Sequence, residues 1–323
     1  MLLSLETVKH LSRPRPLLSG GYLVLEWALL VATLVATLVA LSLHPEPWLL
    51  VLAVPWVGAR QLALLELLHG CVHWSLFRNS RLNDLVGESL LAWPLMLALE
   101  PMRQRHLAHH RYLNTLADPE WDPRPGAEPT RARRLRGLLI ELSGIGSIRR
   151  GLDRLRHPLP AGQRLKRGHR LMRALAYAFC LGAAIAGGKA WLLLALWIVP
   201  RFTWVPFVQA LREAYEHAGM RDRVPSQRTR SIRCGFLLRT FVLPGHAGYH
   251  EAHHLYPSVP FHALPALQEA LRAAGGVRGP ENLVTLGGFG RTRITVQLPE
   301  ISRPEPARTF ATVSTRLSSS TAS

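Results

Sequence analysis

The chain has 323 residues and a formal net charge of +18, with 36 arginines against 3 lysines. That length suits one large domain or two small ones. The three cysteines, Cys71, Cys180 and Cys234, have no CxxC spacing, which excludes a four-thiolate iron–sulfur cluster and argues against a disulfide framework. No aromatic–basic RNA motif, zinc finger or basic zipper accompanies the charge. The apolar residues lie in long blocks between arginine-dense segments, so the charge is read as the positive flank of a polytopic membrane protein and not as a nucleic-acid surface. Arginine used almost to the exclusion of lysine points to a GC-rich, bacterial coding bias.

Residues 1–21 form a basic segment with Lys9, Arg13 and Arg15, expected on the cytoplasmic side; the long apolar stretch behind it does not fit a cleavable signal peptide. Tyr22–Leu43 predicts a first membrane helix of roughly 30 Å. His44-Pro45-Glu46-Pro47 breaks it in a turn without Lys or Arg, as expected of an outer loop. A second helix runs back from Trp48 through Pro55, a potential kink. His69 follows Pro47 by 22 residues, roughly 33 Å of helix, and so falls at or beyond the inner surface. Leu85–Leu99, with Pro94 inside, is too short to span and predicts an interfacial or re-entrant cap.

The acidic stretch Asp118-Pro119-Glu120-Trp121-Asp122-Pro123 is either a solvated turn or a loop that serves a nearby site. Residues 100–170 are expected as a cytoplasmic connector; its basic part, 124–170, would lie on lipid headgroups and offer a dock for an acidic electron-donor protein. Ala174–Gly188 and Ala190–Leu211 predict a second membrane hairpin that turns at Gly187-Gly188-Lys189. Arg201 inside the last span is costly and needs a polar partner. That helix is expected to run on to His217, 28 residues past Lys189 and roughly 42 Å away, again level with the inner surface. A basic, polar loop over 221–249, an amphipathic helix at Leu264–Ala274 and a flexible tail over 284–323 complete the chain.

Eight of the fifteen histidines fall in three clusters, His69/His73, His106/His109/His110 and His250/His253/His254. Their i, i+3 and i, i+4 spacings put imidazoles on one helix face. Three such clusters offer more nitrogens than one tetrahedral zinc can use, and so point to a polynuclear site. Cys71, inside the first cluster, reads better as a packing residue than as a ligand. The third cluster also satisfies HExxH, with His250 and His254 on zinc and Glu251 as base; a membrane zinc protease would leave the other clusters without a purpose. Haem ligation fits poorly with paired histidines beyond the span ends. A metal transporter would place its ligands near the midplane.

The order HxxxH, HxxHH, HxxHH with two membrane hairpins resembles the membrane fatty acid desaturase and hydroxylase family. Arg81-Leu82-Asn83-Asp84, His109-His110-Arg111-Tyr112 and His253-His254-Leu255-Tyr256-Pro257-Ser258-Val259-Pro260 carry the same resemblance, which covers residues 22–275. It implies an all-α integral membrane protein with four transmembrane helices in two hairpins. A cytoplasmic helical cap, within a domain over 22–283, would hold a His-rich di-iron site. It also implies a ninth ligand ahead of the third box, at His217. The implied set is His69, His73, His106, His109, His110, His217, His250, His253 and His254. Glu213 stands where some relatives have an Asn that reaches the metal through water, and His246 stands four residues before the third box; both are candidates for contact with the ligands. The implied activity is O2-dependent desaturation of a lipid acyl chain, with hydroxylation or carotenoid ketolation as the alternative outcome. The electrons would come from an external ferredoxin or b-type cytochrome, since no such segment is fused here. The expected location is the bacterial inner membrane with the metal site facing the cytoplasm.

Overall fold

The computed structural model describes residues 2–44, 46, 48–120, 131–157, 167–217, 228–275 and 283–286. The first elements are α1 (Leu5–Leu11), α2 (Pro16–Leu43) and α3 (Trp48–Val72). Pro16 opens α2 at its first turn, where a missing N–H costs nothing. The helix therefore starts six residues earlier than the apolar pattern alone predicts. Contacts between Thr33 and Trp56 (2.9 Å) and between Glu26 and Arg60 (2.9 Å) show α2 and α3 running antiparallel. α3 continues through Pro55.

α3 is the central element. From Val57 to Val72 it is buried almost all round, and each polar side chain on it finds a partner. Arg60 binds Glu26 and the Thr240 carbonyl, Gln61 donates to the Trp197 carbonyl at 2.9 Å, and Glu66 pairs with Arg212. Gly58 is required where α3 meets the last long helix: a Cβ there would lie 2.4 Å from Cδ1 of Trp204.

After α3 come α4 (Ser80–Val86), a π-helical turn over Gly87–Ala92, and α5 (Leu99–Tyr112). Between them the chain is irregular, with Met96 at φ 57°. This is the predicted cap, and its backbone carbonyls are met by side chains from far along the chain. The hydroxyl of Tyr177 donates to Trp93 (2.6 Å), the indole of Trp197 to Pro94 (2.9 Å), Arg201 to Leu95 (2.7 Å) and Arg173 to Leu97 (3.0 Å). Non-helical backbone at membrane depth survives only where protein satisfies it. Arg201, a charge within an apolar stretch, thus has its partner.

The connector contributes α6 (Arg131–Leu142), which packs along the last long helix, and α7 (Ile145–Arg156). α8 (Arg167–Ala186) follows, with no buried residue. The expected continuous helix from Ala190 to His217 is interrupted. It comprises α9 (Ala190–Leu193), a π-helical turn at Leu194–Ile198, α10 (Val199–Phe202) and α11 (Trp204–Glu216), broken at Thr203. The cause is proline. Pro206 cannot donate to the Phe202 carbonyl, and the Ser147 hydroxyl of α7 takes that carbonyl instead, at 2.8 Å.

β1 (Ser231–Cys234), α12 (Phe236–Val242), α13 (His250–Leu255) and α14 (Leu264–Ala273) close the described part, with β2 (Leu283–Leu286) paired parallel to β1. This strand pair and α12 lie where a plain loop or a tail is expected; otherwise the described elements are helical. α1 packs against α14 through Val8 and Leu11, and the Leu3 amide donates to the Tyr256 hydroxyl, so the N-terminal segment is docked. Among the described residues, three stretches are long and apolar enough to cross a membrane: Pro16–Leu43, Trp48–Val72 and Ala190–Glu216. This is consistent with an integral membrane protein. The expected tail lies outside the described residues from 287 onward.

Candidate metal centre

The first and second histidine clusters are joined by a buried arginine. Helix ends leave their last carbonyls unpaired. At the end of α3, Arg103 donates to Cys71 (3.0 Å) and Val72 (3.2 Å), and Asn83 also donates to Cys71 (3.0 Å). Arg103 further binds Asp84 at 2.5 Å and stacks 4.0 Å above Trp74. One side chain on α5 thus fixes α3 and α4 against it. Ser75 turns the chain back onto the Gly70 carbonyl, with Trp74 at φ 51°. The third cluster rests on β1: Ile232 donates to the Gly248 carbonyl at 2.9 Å, and a Cβ at Gly248 would meet the Ile232 oxygen at 2.5 Å.

These supports bring nine imidazoles together where α3 and α11 end, with α5 and α13 beside them. They fall into two adjoining groups. His69, His73, His106, His110 and His253 have ligand atoms within 4.8 Å of one another. His109, His217 and His254 form a second set, and His250 joins it beside His217. In the first group, Nε2 of His106 lies 2.8 Å from that of His69 and 3.0 Å from that of His110, which is 3.2 Å from that of His253. In the second, Nε2 of His250 lies 2.8 Å from His217 and 3.0 Å from His254. The His110 and His254 rings stack at 4.3 Å, where the groups meet.

Such spacing is that of adjacent ligands on one ion. With metal–nitrogen bonds of about 2.1 Å at right angles, neighbouring nitrogens sit about 3.0 Å apart. Hydrogen bonding alone does not explain it, because the Nε2 of His106 faces two others and can carry one proton. The buried Nε2 of His73 has no hydrogen-bond partner. Burial lowers the pKa values of His73 and His217 to about 3, helped at His73 by His106 and Arg103 and at His217 by His109. Burial and neighbouring imidazoles push His110, His250, His253 and His254 down as well. Neutral imidazoles are the form that binds metal.

His109 goes the other way. Burial opposes its charge, but the Asp118 hydrogen bond and the carboxylates of Glu120, Asp118 and Glu213 outweigh it and raise its pKa. Its Nδ1 lies 3.0 Å from both Asp118 oxygens. Asp118 also accepts from the Asn114 and Glu120 amides, both at 2.9 Å. Glu120 lies 3.6 Å from Nδ1 of His106. The acidic loop therefore serves the site, at least through Asp118 and Glu120; 121–123 lie outside the described residues. The acid's spacing to the second cluster was visible in the sequence, but nothing there chose between solvent and imidazole.

A cavity of about 210 Å³ opens beside the imidazoles, bordered by Leu65, Met102, Val259, Phe261 and Leu264 and by the polar Gln209 and Glu213. Glu213 thus faces the site. His246, with backbone φ 65°, packs its ring on Tyr249 at 5.9 Å. Cys71 packs against Gly87 and belongs to neither imidazole group. Arg103, Glu66 and Arg212 support the site without having announced themselves in the sequence; each works across a long sequence separation.

The sequence profile of the fatty acid desaturase family matches residues 45–281. Among curated proteins, the chain is 26% identical to a dihydrorhizobitoxine desaturase of Bradyrhizobium elkanii, over 93% of this chain and 90% of the relative. It is 26% identical to a chloroplastic omega-6 fatty acid desaturase of Arabidopsis thaliana (77% of this chain, 59% of the relative) and 27% identical to that of Brassica napus (71% and 56%). It thus spans a little over half the length of the plant relatives. With a profile match over most of its length and a metal-competent cluster built from all three histidine boxes, the chain belongs to the fatty acid desaturase family and is an oxidoreductase.

Proposed function

We propose that this protein is an O2-dependent di-iron membrane desaturase acting on a lipid acyl chain. The observation that carries the reading is the division of nine imidazoles into two adjoining groups, each spaced like ligands on one ion. His69, His73, His106, His110 and His253 would hold one iron, and His109, His217, His250 and His254 the other. Imidazole ligation suits iron. Iron so held would supply the oxidation of an unactivated C–H bond by O2, which acid–base side chains cannot perform. The chain's own residues hold the ligands in place, and the apolar border of the cavity positions the chain to be oxidised. Reducing O2 to two waters takes two electrons from the acyl C–H bonds and two from outside, so a ferredoxin or b-type cytochrome is required.

We read α8 as a fourth crossing. Its 20 residues reach about 30 Å, and Leu171, Leu175, Phe179 and Ile185 stand exposed along it, as lipid-facing side chains would. The arginine-rich connector supports a cytoplasmic site in a bacterial inner membrane.

Mass spectrometry of total lipids from an expressing host, against His253→Ala, tests the reading. A wild-type-only lipid lighter by two hydrogens is expected. A product heavier by one oxygen would make the protein a hydroxylase or ketolase. A second reading, a substrate that is not a fatty acyl chain, is favoured by the relative covering most of this chain, which is named for dihydrorhizobitoxine. A mass difference confined to the polar extract of the same cells would establish it.

A further inference from the structure

The two imidazole groups are unequal, five against four, and a buried carboxylate stands beside the smaller one. We infer that Glu216 is a tenth ligand and completes the second metal subsite; the inference rests on the di-iron reading above. Glu216 ends α11, next to His217, and its side chain is 5% exposed. Its Oε2 lies 3.7 Å from Nε2 of His250, and its ligand atom falls within 4.8 Å of those of His217 and His250. Its other oxygen, Oε1, accepts from Nε of Arg212 at 3.2 Å. A ligating carboxylate commonly has its second oxygen held by such a donor.

Arg212 is shared between Glu216 and Glu66, so one guanidinium holds Glu216 in place beside His217 and His250. Glu213, one turn earlier on α11, borders the cavity but belongs to neither group of converging ligand atoms.

The test compares wild type with Glu216→Gln, both purified, loaded anaerobically with ferrous iron and assayed for iron content and Mössbauer spectrum. Wild type should hold two irons per chain in two distinguishable sites. E216Q should fall toward one, keeping the spectrum of the five-histidine subsite, which also reports an intact fold. Two irons in E216Q with an unchanged spectrum would overturn the inference, as would loss of both irons from a folded variant. Wild type holding a single iron would defeat the di-iron reading itself. If E216Q does not accumulate, infrared difference spectra of wild type with carbon-labelled glutamate decide. A labelled carboxylate band that shifts on iron binding is expected, and its absence overturns the inference.

Discussion

Nδ1 of His109 and the carboxylate of Asp118 face each other at 3.0 Å, both nearly fully buried. The contact fixes the proton on Nδ1 and turns the Nε2 lone pair toward the other imidazoles. Asp118→Asn keeps an acceptor and removes the charge. Metal affinity should fall about 10–100-fold with the helical content unchanged, as read by metal titration and circular dichroism.

The same pair sets a proton count. The hydrogen bond from His109, with those from the Glu120 and Asn114 amides, overcomes burial and holds the Asp118 pKa below its ordinary value. The raised His109 pKa means that its imidazolium persists above the unfolded value. The stabilisation this gives the metal-free protein is complete below that value and is lost as pH rises through the folded one. Metal binding must displace this proton, so affinity should weaken as pH falls through the raised His109 pKa. Calorimetry in buffers of different ionisation enthalpy should show fewer protons released by Asp118→Asn than by wild type.

Arg103 closes the end of α3. Arg103→Met would remove the side-chain donor to the buried Val72 carbonyl, while Cys71 keeps Asn83, at a cost of about 2 kcal/mol. His69 and His73 would lose register with α5, so thermal stability and iron content should fall together. Equal iron content at lowered stability would separate the two roles.

Glu26 and Arg60 pair between α2 and α3 with side chains 2% and 7% exposed. Glu26→Ala should cost about 3–5 kcal/mol by leaving the guanidinium alone, and Glu26→Leu with Arg60→Met should recover most of it. Unfolding of the single and double variants in bicelles measures the difference.

Gly58→Ala should destabilise the α3–α11 crossing by about 1–3 kcal/mol, because a rigid Trp204 ring occupies the space. Trp204→Leu in the same chain should relieve it.

The histidine boxes were legible because metal ligation imposes helical spacing, and spacing survives in a one-dimensional text. Helices α2 and α3 could be read from unbroken apolar length. What could not be read depends on partners distant in sequence. Arg201 looked like an unexplained charge until the Leu95 carbonyl was found 106 residues away. Pro200 and Pro206 were visible, but a continuous hydropathy pattern hid the break at Thr203. The strand pair β1–β2 is four residues a side, too short for alternation to show.

The four carbonyls between Trp93 and Leu97 carry a consequence for biogenesis. Their donors lie between Arg173 and Arg201, so during synthesis these carbonyls wait for residues not yet made. Water or other parts of the chain must satisfy them until the last helices emerge. The first His-bearing half cannot mature by itself, and a ribosome stalled near residue 170 would hold a product fit for quality-control proteases.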